Sequence, residues 1–239
     1  MKAIAVIPAR LASTRLPRKM LRELGGKPLI GVVYEAVRRS SLLADVIVAT
    51  DSEEILSVCR RHGWTAQMTA ETHRSGTERV YEVSTREAAD AYINVQGDEP
   101  LARPEQLATL LRVMENPAAD VGTLMTPAAE VDIPNPHAVK VVVDRNGRAL
   151  YFSRATIPFD RDETQPQYFK HLGFYAYRKA ALERFVNLPE SPLERSERLE
   201  QLRFLENGIP IYVGETPYDS IGVDTEEDLQ RVAEILRQK

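Results

Sequence analysis

Between Ala9 and Met20 the chain carries Arg10, Arg15, Arg18 and Lys19 with two hydroxyls, Ser13 and Thr14, and no acidic residue intervenes before Glu23. Guanidinium groups present paired donors that match phosphate oxygens, so a loop loaded this way suits a polyphosphate. A basic loop can equally be a solvated surface, and alone it fits either reading. A second cluster, Glu71–Arg79, reads ETHRSGTER and sets Ser75 and Gly76 at the start of a helical pattern. Free backbone N–H groups at such a start hold anions or a sugar hydroxyl. A third, Gln96-Gly97-Asp98-Glu99-Pro100, places adjacent carboxylates after an apolar run. That arrangement fits magnesium, and it also fits a polar turn capping the next helix.

Each cluster needs an element to position it. Ile4-Ala5-Val6-Ile7 is a short unbroken apolar run, as expected of a parallel strand buried on both faces, and Pro8 ends it. After a Gly25-Gly26 turn, Leu29 to Arg38 has helical spacing. Asp45 to Thr50 reads as a second buried strand, with Asp51 and Glu54 as a helix start related to a capping box. A helix to about His62 and a short strand near Thr65 to Met68 follow, then a helix through Val80, Val83 and Ala88 and a strand over Ala91 to Val95. Repeated β-α units predict a three-layer α/β fold with a doubly wound, mostly parallel sheet. Ligands bind such sheets at the carboxyl ends of the strands, where the basic loop and the acidic turn both emerge.

From Asp120 the pattern changes. Strands near Val121 to Met125, Val139 to Asp144 and Ala149 to Phe152 follow closely, with a hairpin signal at Asn146-Gly147. Lys170 to Tyr177 is an aromatic-rich strand containing His171. One helix is expected from Ser191, with Glu197, Glu200 and Gln201 along it and Leu199, Leu202 and Leu205 on its buried side. After a late strand over Ile209 to Val213, Thr225 and Asp228 form a capping box for the last helix. The expectation is a single domain over 1–239, with a β-rich sub-lobe near 120–178 used for dimerisation and sugar binding.

Composition removes several classes. The net charge is −4 over 239 residues, so no global basic field exists to hold nucleic acid. Cys59, the one cysteine, excludes an internal disulfide and a CxxC site, and its helical pattern reads as a buried thiol. No segment approaches the length of a membrane span, so the expectation is a cytoplasmic protein without membrane insertion. Neither a GxxxxGK[ST] loop nor a GxGxxG after the first strand is present, which disfavours P-loop hydrolases and common dinucleotide dehydrogenases.

PARLASTRLPRK, HRSGTER, NVQGDEP, ALYFSRATIP, HLGFYAY, SPLERSERLEQLR and GVDTEEDL together resemble 3-deoxy-manno-octulosonate (Kdo) cytidylyltransferase, the CMP-Kdo synthetase family, in order from Ala3 to Leu229. The first stretch is shared with other nucleotidyltransferases, while SRATIP, HLGFYAY and the ExxExLEQLR run are narrower. Phe159 stands where Trp is usual, and the loop between Asp160 and His171 is short. The resemblance implies a nucleotide-diphospho-sugar transferase-like fold and transfer of CMP from CTP to Kdo with release of pyrophosphate, for lipopolysaccharide biosynthesis. It implies that Arg10, Arg15 and Lys19 hold the triphosphate, that Ser75, Gly76 and Gln96 meet the nucleotide, and that Asp98 and Asp224 ligate magnesium. Lys19, Arg10, Asp98 and Asp224 are then the catalytic set. The resemblance also implies that Gln96, Arg154, His171, Tyr175, Glu200 and Gln201 surround the sugar acid, and that the protein pairs as a homodimer. A synthetase for amino-Kdo or sialic acid is the nearest alternative, and a non-catalytic nucleotide-binding module the next.

Overall fold

The computed structural model describes residues 1–13 and 15–237, so Thr14 of the basic loop lies outside the described residues. The chain divides into two compact units, one formed by Met1–Ala108 with Ser220–Lys239 and the other by Thr109–Asp219.

The first unit is built on β1 (Ala3–Ala9), where only Pro8 is not fully buried. After it come a two-stranded ribbon, β2 (Glu23–Leu24) with β3 (Lys27–Pro28), then α1 (Leu29–Arg38), β4 (Asp45–Thr50), α2 (Glu53–His62), β5 (Ala66–Met68), α3 (Gly76–Arg86) and β6 (Ala91–Asn94). The ribbon turns on Gly25 and Gly26, at φ 61° and 83°, a conformation that a residue with a Cβ resists. β1 pairs in parallel with β4 on one side and with β6 on the other, and β4 pairs in parallel with β5. The chain therefore steps outward from β1 through β4 to β5, then returns across β1 to lay down β6. Because parallel crossovers are right-handed, this reversal puts α1 and α2 on one face and α3 on the other. A crevice opens where the direction changes, at the carboxyl end of β1.

α4 (Pro104–Val113) carries the chain into the second unit, which contains β7 (Val121–Pro127), β8 (Lys140–Val143), β9 (Ala149–Ser153), β10 (Phe169–Tyr177), α5 (Lys179–Val186), α6 (Pro192–Glu197), α7 (Leu202–Glu206) and β11 (Ile211–Glu215). β7 has β11 parallel on one side and β10 antiparallel on the other, and β8 pairs antiparallel with β9. A register shift between Leu172 and Tyr175 interrupts the β7–β10 ladder. Phe152, Phe174, Phe185 and Phe204 are fully buried, with Phe185 and Phe204 stacked at 4.7 Å. α8 (Glu226–Arg237) returns to the first unit, and Thr225 and Asp228 cap it reciprocally as the sequence predicts.

Two local expectations are corrected. The cap of α2 is Ser52, whose hydroxyl accepts from the Ile55 N–H, and not Asp51, which pairs with Arg79 instead. The single helix expected from Ser191 is two helices. Ser191 and Glu194 form a capping box for α6, and Arg198 then turns left-handed at φ 54°. The Glu197 carboxylate accepts from the Ser153 hydroxyl and the Arg154 backbone N–H, so tertiary bonds hold the end of α6 in place. Leu199 and Leu202 are buried as expected, but Phe204 takes the inner position assigned to Leu205. Among the described residues no helix is long and apolar enough to cross a membrane.

Candidate active site

At the carboxyl end of β1 lies a cleft of about 530 Å³ lined entirely by residues of the first unit. Arg18 adopts the left-handed conformation at φ 57°, and the chain then enters a 3-10 turn over Lys19–Leu21 that buries Lys19. The Gln96-Gly97-Asp98 turn packs flush against the end of β1. A Cβ on Gly97 would lie 2.9 Å from the Pro8 carbonyl oxygen and 2.8 Å from the Met20 sulfur, so only glycine fits without displacement. The Val223 N–H donates to the Asp98 carbonyl at 2.9 Å, which draws Asp224 to the same place.

The result is a charge cluster assembled from three distant segments. Lys19 Nζ lies 2.5 Å from Asp98 Oδ2 and 3.0 Å from Asp224 Oδ1, and Arg15 Nη1 lies 3.0 Å from Asp224 Oδ2. Burial alone would lower the Lys19 pKa, but Asp98 and then Asp224 outweigh it and hold the ammonium above its ordinary value. Arg10 also lines the cleft. Arg18 does not, since its guanidinium pairs with Glu54. Ser75 Oγ accepts from the Glu78 N–H and so caps α3, while Gly76 brings the helix start to within contact of Pro8. Gln96 Nε2 donates to Asn94 Oδ1 at 3.3 Å, which aims its amide into the cleft wall.

The other predicted residues fall in the second unit. Arg154 donates through Nε to the Glu197 carbonyl at 2.7 Å and through Nη1 to the Pro136 carbonyl at 3.0 Å, so its guanidinium is held in one plane. His171, Tyr175 and Tyr177 form a ring series, with 5.4 Å between the first two centroids and 5.8 Å between the last two. Burial pushes the His171 imidazole down to about 3, so it is neutral at physiological pH. Burial, followed by Tyr177 and Glu200, drives the Tyr175 phenol well above its usual range. Glu200 and Gln201 occupy the break between α6 and α7, and Gln201 Nε2 is buried without a hydrogen-bond partner. A buried, unpartnered amide donor at such a break fits a ligand acceptor.

A family model described as cytidylyltransferase matches residues 4–214. The chain is 66% identical, over all of its length and 91% of the relative's, to 3-deoxy-manno-octulosonate cytidylyltransferase of Koribacter versatilis. It is 54% identical to the protein of the same name from Acidobacterium capsulatum, covering 100% of this chain and 98% of that one. The chain belongs to the 3-deoxy-manno-octulosonate cytidylyltransferase family. A solved structure of CMP:2-keto-3-deoxy-manno-octonic acid synthetase complexed with CTP superimposes with a TM-score of 0.96 at 43% identity, covering 100% of this chain and 99% of that one. The α/β architecture read from the sequence is thus the architecture of the family.

Family membership directs attention to cleft residues that sequence reasoning passed over. Arg79 is buried, donates to Thr69 Oγ1 at 2.7 Å and to the Ala70 carbonyl at 3.2 Å, and pairs with Asp51. It lies three residues after Gly76, hence on the same helical face, and this spacing was the available signal. His73 reaches the cleft as well, with Nε2 2.5 Å from Glu82 Oε2. Among the described residues no group of three or more His, Cys, Asp or Glu is arranged to hold a metal. Magnesium takes one or two carboxylates together with substrate phosphates, and Asp98 and Asp224 already direct an oxygen each at one cation, the Lys19 ammonium. The donor set therefore fits that ion.

Proposed function

We propose that this chain transfers CMP from CTP to the anomeric hydroxyl of Kdo, releasing pyrophosphate and forming CMP-Kdo. The observation that carries this reading is the meeting of Lys19, Asp98 and Asp224 at the end of β1, in a protein of this family. The anomeric oxygen attacks the α-phosphorus in line with the departing pyrophosphate; an O–P bond forms, the bond to the β-phosphate's bridging oxygen breaks, and the hydroxyl proton is lost to solvent. Negative charge grows on the leaving group, and preorganised cations stabilise it. Arg10, Arg15 and Lys19 supply them, with Lys19 nearest the transferred group. Ser75, Gly76 and Gln96 position the nucleotide.

Asp98 and Asp224 would hold magnesium, which neutralises phosphate charge and acidifies a bound hydroxyl. In the second unit Arg154 pairs with the sugar acid's carboxylate, and His171, Tyr175, Glu200 and Gln201 contact its ring and hydroxyls. The product feeds lipopolysaccharide assembly from the cytoplasm. A homodimer is part of the same reading, supported by the exposure of Val131, Leu150 and Phe159 in the second unit.

The test is pyrophosphate release with each nucleoside triphosphate against Kdo, its amino analogue and sialic acid, with magnesium. CTP with Kdo is expected to dominate. Turnover with sialic acid instead would move the specificity, and CTP binding without turnover on any sugar acid would leave a nucleotide-binding module.

A further inference from the structure

The β7–β10 ladder breaks opposite one fully buried hydroxyl, that of Thr123. Thr123 Oγ1 lies 2.8 Å from the Phe174 carbonyl oxygen, 3.3 Å from that of Leu172, and 3.0 Å from His171 Nε2. A hydroxyl has one proton to give, and a carbonyl oxygen can only accept. The Thr123 proton therefore goes to the Phe174 carbonyl, and its oxygen is left to accept from His171. Nε2 must carry the imidazole proton. The opposite tautomer would set two lone pairs against each other, or strip the buried carbonyl of its donor.

We propose that Thr123 is a positioning residue that fixes His171 as the Nε2–H tautomer, so that Nδ1 is presented as an acceptor for a hydroxyl of the sugar acid. The ring has little freedom to escape this arrangement. Phe152 meets it edge-on at 5.0 Å and 78°, Tyr175 lies 5.4 Å away on a tilted plane, and the His171 backbone N–H is tied to the Val139 carbonyl at 2.8 Å. The imidazole is neutral at physiological pH, so it has one proton to place. Nδ1 has no hydrogen-bond partner among the described residues, and His171 is only half-buried. A neutral acceptor repels a carboxylate and welcomes an O–H donor. His171 thus reads a hydroxyl and leaves the carboxylate to Arg154, and this assignment rests on the sugar-acid reading given above.

The experiment combines spectroscopy with kinetics. Protein labelled with 15N-histidine is examined by long-range 1H–15N correlation at neutral pH, the His171 signals being assigned by their loss in His171→Gln. The Nε2–H pattern is expected in the wild type and in Thr123→Ser, and a mixed or Nδ1–H pattern in Thr123→Val. In steady-state assays Thr123→Val should raise the KM for Kdo about tenfold while the KM for CTP moves less than about twofold, the loss expected of one oriented hydrogen bond. Thr123→Ser should restore the Kdo KM to within about threefold of wild type. An Nδ1–H wild type, or a valine variant that keeps both the pattern and the Kdo KM, overturns the role of Thr123. A His171→Gln variant with unchanged Kdo KM overturns the sugar-acid contact itself, a result separable from failure of the tautomer lock.

Discussion

At the scale of single residues, the centre of this protein is an ammonium held between two carboxylates. Lys19 is buried, yet Asp98 at 2.5 Å keeps it charged, which is the state its proposed role beside the growing pyrophosphate charge calls for. Asp98→Asn keeps the shape and removes the charge. It should lower turnover by about 10²–10³-fold, the scale of one lost electrostatic contact in a transition state, and change CTP affinity far less. Pyrophosphate release beside calorimetric titration of CTP separates the two quantities, and full activity with magnesium would sink the metal role. His171 gives a second outcome with a definite sign. Its pKa falls from 6.5 to about 3 on folding, so between those values the unfolded chain holds a proton that the native state lacks. Stability therefore declines on acidification through that window, by at most about 1.4 kcal/mol per pH unit. His171→Gln should flatten this limb in denaturant titrations at pH 4 to 6, roughly midway through the window.

At the scale of elements, two features decide how α3 and the α6–α7 pair are held. Arg79 docks α3 through Asp51 at the end of β4, and both side chains are largely out of water. Removing one member strands the other, so Asp51→Ala should cost about 3–5 kcal/mol in chemical denaturation. Arg198, left-handed between α6 and α7, carries a Cβ penalty that Arg198→Gly relieves. A gain of up to about 1 kcal/mol is expected in the same assay. Strand and helix positions through β6 were legible because buried parallel strands and amphipathic helices write their periods plainly. Lys19, Asp98 and Asp224 were legible as candidates, but their meeting follows from register and crossover handedness, which no local pattern encodes. The break at Arg198 was hidden, since Glu200, Gln201 and the leucines keep a helical rhythm through it, while the features that mark it, the left-handed Arg198 and the bonds of Glu197 to Ser153 and Arg154, are tertiary. Arg79 was overlooked for the opposite reason: it sits in a conspicuous stretch, but its partner Asp51 was already assigned to a cap.

At the scale of the whole molecule, the second unit is inserted in sequence between parts of the first. Its exposed Val131, Leu150 and Phe159 support self-association, and sedimentation at micromolar concentration should give a dimer; a monomer would remove that part of the proposal. The same interruption has a temporal side. Lys19 and Asp224 are 205 positions apart, and Thr225 begins the cap of the last helix. Segments are synthesised in order, so Lys19 and Asp98 are both available to pair well before Asp224 has been translated. Under the roles proposed for Asp98 and Asp224, a chain not yet translated through Asp224 lacks one of its two metal carboxylates and should not turn over cytidine triphosphate.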